Sequence, residues 1–487
     1  MRFLIILLVA VSTTAVAAAE PAEFVGGTPR ADKPNIVFLL IDDMGWPDVA
    51  CYGHKFHETP VIDQLARDGM RFTDFYAATP VCSSTRSTIM TGQYSARTGI
   101  TDFIPGHWRP FEKLVVPKID HHLRDGIKTP GNALQSAGYA TGYFGKWHLG
   151  NDRDHQPDKH GFQVTDFQLP KQLRPKKPQR GPKSIDYLTN AALWFIDQKK
   201  EQPFFLTVSH HAVHIPLEAR KESAAKYKGK TPPKDGINNP YYAAMIEDLD
   251  ASIGRILGKL EEVKLADNTI VVFTSDNGGL RQIYTKAGDI VSTNAPLRDE
   301  KGTLYEGGIR VPMIVRWPGV VERGSTCSEP TTTADLLPTF CAMAGAEAPD
   351  QAIDGANMVP LLKNPAANLK RDAIFFHYPH YHHSRPGGAV RSGDWKLIEW
   401  FEDESVELYN LANDIGESRN VASEHPEVIA KLKATAADFR ERTGARMPTR
   451  NPKFDAAKAD KWWSRRTNKP LDIEAMRKRY ETRQKRR

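Results

Sequence analysis

An α/β fold, a large mixed but mostly parallel sheet sandwiched by helices and followed by a smaller antiparallel sheet plus a helix, is predicted by three observations. Apolar runs rich in β-branched residues recur along the first two thirds of the chain, and helical patterns separate them. Such runs, alternating with helices, read as strands buried on both faces. After about residue 370 the texture changes to short strands divided by turn residues, and the 487-residue length accommodates both a large unit and a smaller one.

In chain order, Arg2, the apolar stretch 3–11 and Ala17-Ala18-Ala19 form the pattern of an export leader over residues 1–19. An uncleaved N-terminal anchor is the rival reading. The apolar stretch is too short to span a bilayer as a helix, and no later one is long and apolar enough. The expected mature chain is therefore exported, periplasmic or secreted, without a transmembrane segment. Strands are predicted at 35–41, 139–144, 204–208, 269–275 and 311–315, and helices at 59–68, 131–137, 185–198, 241–263 and 333–344. Beyond them, 373–378, 388–391, 395–400 and 406–411 predict the antiparallel sheet, with a helix at 426–442 packed on it. The resulting units are 33–370, 371–445 and a basic tail, 446–487.

With 40% hydrophobic and 9% aromatic residues, the composition is that of a globular chain with a sizeable core. Four cysteines do not make a disulfide framework at this length. Cys327–Cys341 is an available bridge, and unpaired core cysteines are the alternative. The net charge of +7 is unevenly placed: residues 446–487 hold 15 Lys/Arg against 5 Asp/Glu, which leaves residues 20–445 at −4. The tail is either a solvated basic face or a contact for an anionic surface or polysaccharide. An exported chain with no recognisable nucleic-acid module argues against nucleic acid as a partner.

The chemistry gathers at predicted strand ends, where open α/β sheets bind ligands. Asp42-Asp43 and Asp276-Asn277 close two strands and together offer a hard, oxygen-only pocket suited to Ca²⁺ or Mg²⁺. Cys82 lies just ahead of a predicted helix, where unpaired N–H groups favour negative charge, and Arg86 is one turn further on. A buried core cysteine beside a surface arginine is the plainer reading of those two residues. Lys146 and His148 follow another strand, and alternate so as to reach one side. His214 and Lys301 stand in two further polar segments.

The wider runs carry a resemblance. Cys82-Ser83-Ser84-Thr85-Arg86, with Thr91-Gly92 after it, resembles the signature of the type I, formylglycine-dependent sulfatases, with Ser84 where that pattern most often has proline. Gly145-Lys146-Trp147-His148-Leu149-Gly150, the His211-to-Pro216 segment and Lys301-Gly302 through Glu306-Gly307-Gly308-Ile309-Arg310-Val311-Pro312 resemble further elements of that family, in its order. Arg391-Ser392-Gly393-Asp394-Trp395-Lys396-Leu397-Ile398 is similar to a C-terminal strand of bacterial polysaccharide sulfatases.

The resemblance implies an alkaline phosphatase-like fold, a formylglycine made from Cys82 by a maturation enzyme, and hydrolysis of sulfate monoesters. It implies a divalent cation, Ca²⁺ with Mg²⁺ as the alternative, held by Asp42, Asp43, Asp276, Asn277 and the modified Cys82. Arg86, Lys146 and Lys301 would contact the sulfate, His148 the hydrated aldehyde and His214 the scissile ester oxygen. His210 and His211 are expected to surround the site, and Glu306 and Arg310 to be structural. Export and the C-terminal element together point to a sulfated carbohydrate, with His380, Arg385 and Arg391 expected in the leaving-group pocket. Two alternatives stay open: a formylglycine-dependent phosphonate or phosphodiester hydrolase, and an unmatured anion-binding protein. Oligomeric state is not readable from the sequence.

Overall fold

The computed structural model describes residues 33–174, 182–233, 237–281 and 291–463. The leader over 1–19 and the tail beyond Trp463 lie outside the described residues. Eight strands make the main sheet: β1 (Asn35–Asp42), β2 (Met70–Phe72), β3 (Ala140–Gly145), β4 (Val164–Thr165), β5 (Phe204–Val213), β6 (Thr269–Ser275), β7 (Met313–Arg316) and β8 (Ser325–Cys327). Their order is β8-β2-β7-β6-β1-β5-β3-β4. All pairings are parallel except those of β7 with β2 and β6.

Side chains alternate across a strand, so one run of apolar residues feeds two cores. Along β1, Val37, Leu39 and Ile41 face one core, and Ile36, Phe38 and Leu40 the other. The first core is closed by helices α1 (Pro60–Asp68), with Ile62 and Leu65, and the longer pair Ile185–Lys199 and Pro240–Glu262. The second is closed by α2 (Cys82–Thr91), Pro130–Ser136 and Leu336–Ala344, through Ile89, Leu134 and Phe340. The sheet thus has no solvent-facing side, and its strands could not carry the polar alternation of a half-exposed sheet.

The smaller sheet comprises β9 (Ile374–Tyr378), β10 (Gly387–Ser392), β11 (Trp395–Trp400) and β12 (Val406–Asn410), antiparallel throughout. One face receives helix Pro426–Thr443 through Leu432, Ala436 and Phe439, and the other packs Phe376, Ala389 and Ile398 on Tyr76, Leu304 and Ile309 of the large unit. All four cysteines are free, so the bridge Cys327–Cys341 is not formed. The tail is not uniformly a solvated appendage: Thr449–Arg450 pairs with Leu114–Val115, and a helix covers Ala456–Trp463.

One glycine sets the approach of a functional loop. Gly145 ends β3 at φ +103°, and a Cβ there would lie 2.0 Å from the Ser209 carbonyl oxygen. Gly145→Ala is expected to cost about 1–3 kcal/mol or more in unfolding free energy, by backbone strain and clash together. A midpoint unchanged in equilibrium denaturation would contradict this.

Candidate active site

Two strand ends and one helix start meet at the carboxyl edge of the sheet. β1 delivers Asp42 and, through a left-handed turn at φ +62°, Asp43. β6 delivers Asp276 and Asn277, and α2 presents Cys82 as its first helical residue. All five are buried. Cys82 Sγ lies 3.5 Å from Asp42 Oδ1 and 3.7 Å from Asp43 Oδ1.

The cations arrive from separate segments. Lys146 Nζ donates to both Asp42 oxygens at 2.7 Å. Lys301 Nζ donates to Asp43 at 2.6 and 2.8 Å and lies 3.4 Å from Cys82 Sγ. Arg86 Nε donates to Asp276 Oδ2 at 2.8 Å, while its Nη1 reaches the Lys146 carbonyl and Ser209 Oγ at 2.6 and 2.7 Å. Three carboxylates therefore face three cations, and such charge balance is what lets a buried cluster of this kind persist.

Burial opposes the ionisation of Asp42, but Lys146, His214, Arg86 and Lys301 outweigh it and hold the carboxyl well below its usual range. The same opposition, with His214 and Lys301 prevailing, keeps Asp43 low. Burial raises Asp276 despite Arg86, and it pushes the Cys82 thiol up, so an unmodified thiol is a poor nucleophile here.

Two histidines have their tautomers set by backbone carbonyls. His148 sits at φ +62°, and its Nε2–H donates to the Ile104 carbonyl at 2.8 Å. That leaves Nδ1 as an acceptor, buried and without a partner among the described residues. Burial, then Lys146, lowers His148 to about 3, so the ring is neutral. His214 Nδ1–H donates to the Ile215 carbonyl at 2.5 Å, turning Nε2 to within 3.5 Å of Asp43 Oδ2.

The donor set fits a hard divalent cation. Asn277 Nδ2 is spent on Asp43 and the Gly278 carbonyl, and its Oδ1 is a buried acceptor with no partner among the described residues. Ligand atoms of Asp42, Asp43, Cys82 and His214 lie within 4.8 Å of one another. Carboxylate and amide oxygens of this kind suit Ca²⁺ or Mg²⁺.

The expected leaving-group residues have protein partners of their own. His380 Nε2 bonds Thr101 Oγ1 at 2.7 Å in a buried position. Arg385 pairs with Asp403 at 2.5 Å and lies over the Trp400 ring. Arg391 pairs with Asp74 at 2.6 Å and bonds the Tyr76 hydroxyl, in the layer between the two sheets. Their hydrogen bonds and ion pairs are with these groups rather than with Cys82, Lys146 or Lys301. The reason is register: Arg391 is opposite Ile374 and Lys396 in the sheet, and its side chain points into the inter-sheet layer.

Other residues approach the site instead. His382 lies so close to the Lys301-Gly302 turn that a Cβ at Gly302 would meet its Nδ1 at 2.2 Å, and its ring is 4.4 Å from that of His107. His383 Nδ1–H donates to the Lys301 carbonyl at 2.7 Å. On the opposite side Lys183, lowered to about 8 by burial despite Glu218 and Asp42, and His211, lowered to about 4 by burial, both feel the site charges. Nothing in local sequence marked Lys183; the histidine-rich run containing His382 was the available signal.

Comparison with known proteins follows the same lines. The family model described as Sulfatase matches residues 34–346, and one described as N-sulphoglucosamine sulphohydrolase, C-terminal, matches residues 299–442. A sulfatase of Formosa agariphila is 31% identical over 481 residues, covering 81% of this chain and 85% of that protein. Human arylsulfatase A is 32% identical over 472 residues, covering 84% and 88%. Among solved structures, Ps i-CgsB in complex with k-i-k-neocarrahexaose superposes with a TM-score of 0.72 at 28% identity, covering 90% of this chain and 98% of that one.

Proposed function

This chain belongs to the sulfatase family and is a sulfuric ester hydrolase, and from that premise we propose that it is an exported enzyme that removes sulfate from a sulfated polysaccharide or oligosaccharide, using a formylglycine made from Cys82. The observation that carries the reading is the convergence of Cys82 with Lys301, Asp42 and Asp43 at the head of α2. When present, the hydrated aldehyde supplies a nucleophilic oxygen and a second hydroxyl where the thiol supplies neither. Asp42, Asp43, Asp276 and Asn277 would hold the cation, proposed as Ca²⁺, which screens the charge of the sulfate.

The chain's own groups divide the remaining work. Arg86, Lys146 and Lys301 bring positive charge to a water-poor pocket where an anionic ester must be neutralised before attack. His214 Nε2 carries a proton to the departing alkoxide, with Lys301 beside it, and general acid catalysis of this type contributes roughly 10²–10⁴ in rate. His148 Nδ1, kept free by the Nε2–H bond to Ile104, accepts the proton released as sulfate leaves. The named ligands of related structures support a sulfated sugar: one neighbour is complexed with D-Glucosamine-2-N,6-O-disulfate.

The test is mass spectrometry of the Cys82 peptide from protein made in its native host, together with turnover of 4-nitrophenyl sulfate and 4-nitrophenyl phenylphosphonate. Formylglycine at Cys82, a sulfate rate at least tenfold the phosphonate rate, and loss of turnover with a chelator that added Ca²⁺ reverses are the expected results. A higher phosphonate rate would move the chain to the alternative hydrolase. Unmodified cysteine in every active molecule would remove the aldehyde chemistry.

A further inference from the structure

Beside the catalytic pocket lies a surface that the reaction does not use. The segment 446–459 crosses back from the small unit as a strap over the loop 107–115. Arg450 and Thr449 pair antiparallel with Leu114 and Val115, Asn451 Nδ2 donates to the Pro110 and Glu112 carbonyls at 2.9 and 2.7 Å, and Asp455 N–H donates to the Phe111 carbonyl at 3.1 Å. The strap is thus fastened at three points, and the loop it fastens begins at His107, whose ring abuts His382 and, through it, the Lys301-Gly302 turn.

Three features of this face go together. Trp108 is 84% exposed, the largest exposure among the big hydrophobic side chains described, and its ring is supported from one side by Phe111 at 6.5 Å. An exposed indole offers a large, rigid apolar face on which a sugar ring can stack. Arg450 and Lys453 are exposed, with no carboxylate at ion-pair distance among the described residues. The nearby acids are already occupied, Glu402 by Lys113 and Asp455 by Lys458. The chain continuing from this face, residues 460–487, is also basic, with 11 Lys/Arg against 4 Asp/Glu.

We propose that loop 107–115 and strap 446–459 form an accessory docking surface for the anionic carbohydrate chain beyond the sugar being desulfated. Trp108 stacks on a sugar face, and Arg450 and Lys453 meet the sulfate groups of neighbouring units. Charge complementarity, an aromatic platform and continuity with the catalytic pocket all favour a sulfated polysaccharide as the occupant. The ligand class rests on the sulfatase reading above, but binding requires neither formylglycine nor turnover. The two can therefore fail separately.

The experiment is affinity electrophoresis of the full chain in gels containing dextran sulfate or unsulfated dextran, with mobilities referred to a polymer-free gel. Retardation is expected with dextran sulfate alone. The variant Trp108→Ala/Arg450→Glu/Lys453→Glu is expected to bind at least fivefold more weakly. The tail variant Arg477→Gln/Arg479→Gln/Arg483→Gln is expected to stay within twofold of the parent. Thermal melting checks that each variant folds, and if the triple variant does not, the exposed pair Trp108→Ala/Lys453→Glu is expected to weaken binding at least threefold. Equal binding by parent and docking variant, no retardation of the parent, or loss confined to the tail variant would each overturn the proposal. So would a dimer, seen by size exclusion, that the Trp108→Ala change dissolves.

Discussion

Cys82→Ala is expected to lower turnover of 4-nitrophenyl sulfate by on the order of 10⁴-fold or more, the scale on which removal of a covalent nucleophile acts. Every other group in the pocket would remain: Lys146 on Asp42, Lys301 on Asp43 and Arg86 on Asp276. In the proposed mechanism those pairs would bind and polarise a sulfate, but they could not replace the atom that attacks it. Stability should move little, by less than about 1 kcal/mol, because the change removes one sulfur whose polar contacts are long, at 3.4–3.7 Å. The split between a lost kcat and an unchanged melting temperature is the measurement. Retention of more than a hundredth of the parent rate would place the nucleophile elsewhere.

Lys396→Met is expected to have the largest effect on stability. Lys396 Nζ lies 2.8 Å from both Glu306 Oε1 and Glu417 Oε1, and all three side chains have no solvent exposure. Burial opposes ionisation of Glu306, and Lys396 and Arg310 overcome it, holding this carboxyl low. Burial pushes Glu417 up to about 7 against the pull of Lys396. Removing the lysine leaves two carboxyls in the layer that joins the sheets, and breaking a buried pair in this way typically costs about 3–5 kcal/mol.

Urea unfolding of Lys396→Met against the parent reads that loss. The double variant Lys396→Met/Glu417→Gln should recover part of it, since Glu306 then keeps Arg310 as its partner and no carboxylate is left without a cation. A loss below about 1 kcal/mol would show that the network is dispensable. The pH dependence has a definite sign. Folding keeps a proton on Glu417 that the unfolded chain releases near its ordinary value of 4.5, so this group's contribution falls as pH rises from there to about 7.

Much of the architecture was legible because it is written locally. The strand 35–41 alternates between two apolar cores, and it can do so only if both faces are covered, which is what a continuous apolar run records. Asp42-Asp43 and Asp276-Asn277 were readable as one polar cluster because they end such runs. Cys82 was readable because a helix start follows it at once. The buried roles of Glu306 and Arg310 also followed from their motif, and the pair does form, at 2.6 Å.

His380, Arg385 and Arg391 show where local reading stops. Histidine and arginine beside aromatics suit a sugar pocket, yet they suit internal hydrogen bonds and ion pairs equally well. Whether Arg391 meets substrate or Asp74 depends on how a strand near residue 390 registers against a turn near residue 74. Lys183, His107 and His382 likewise reach the pocket through chain closure and not through spacing.

The sequence by itself determined the strands β1, β3, β5, β6 and β7, the later antiparallel sheet and the identity of the groups at the strand ends, because periodicity, turn residues and helix starts act over a few residues. Only the tertiary structure decided which cation faces which carboxylate, which arginines are consumed internally and where the C-terminal strap lies. Most of those outcomes come from contacts between residues a hundred or more apart, where burial makes each unpaired charge costly and so selects one pairing from several that composition allows.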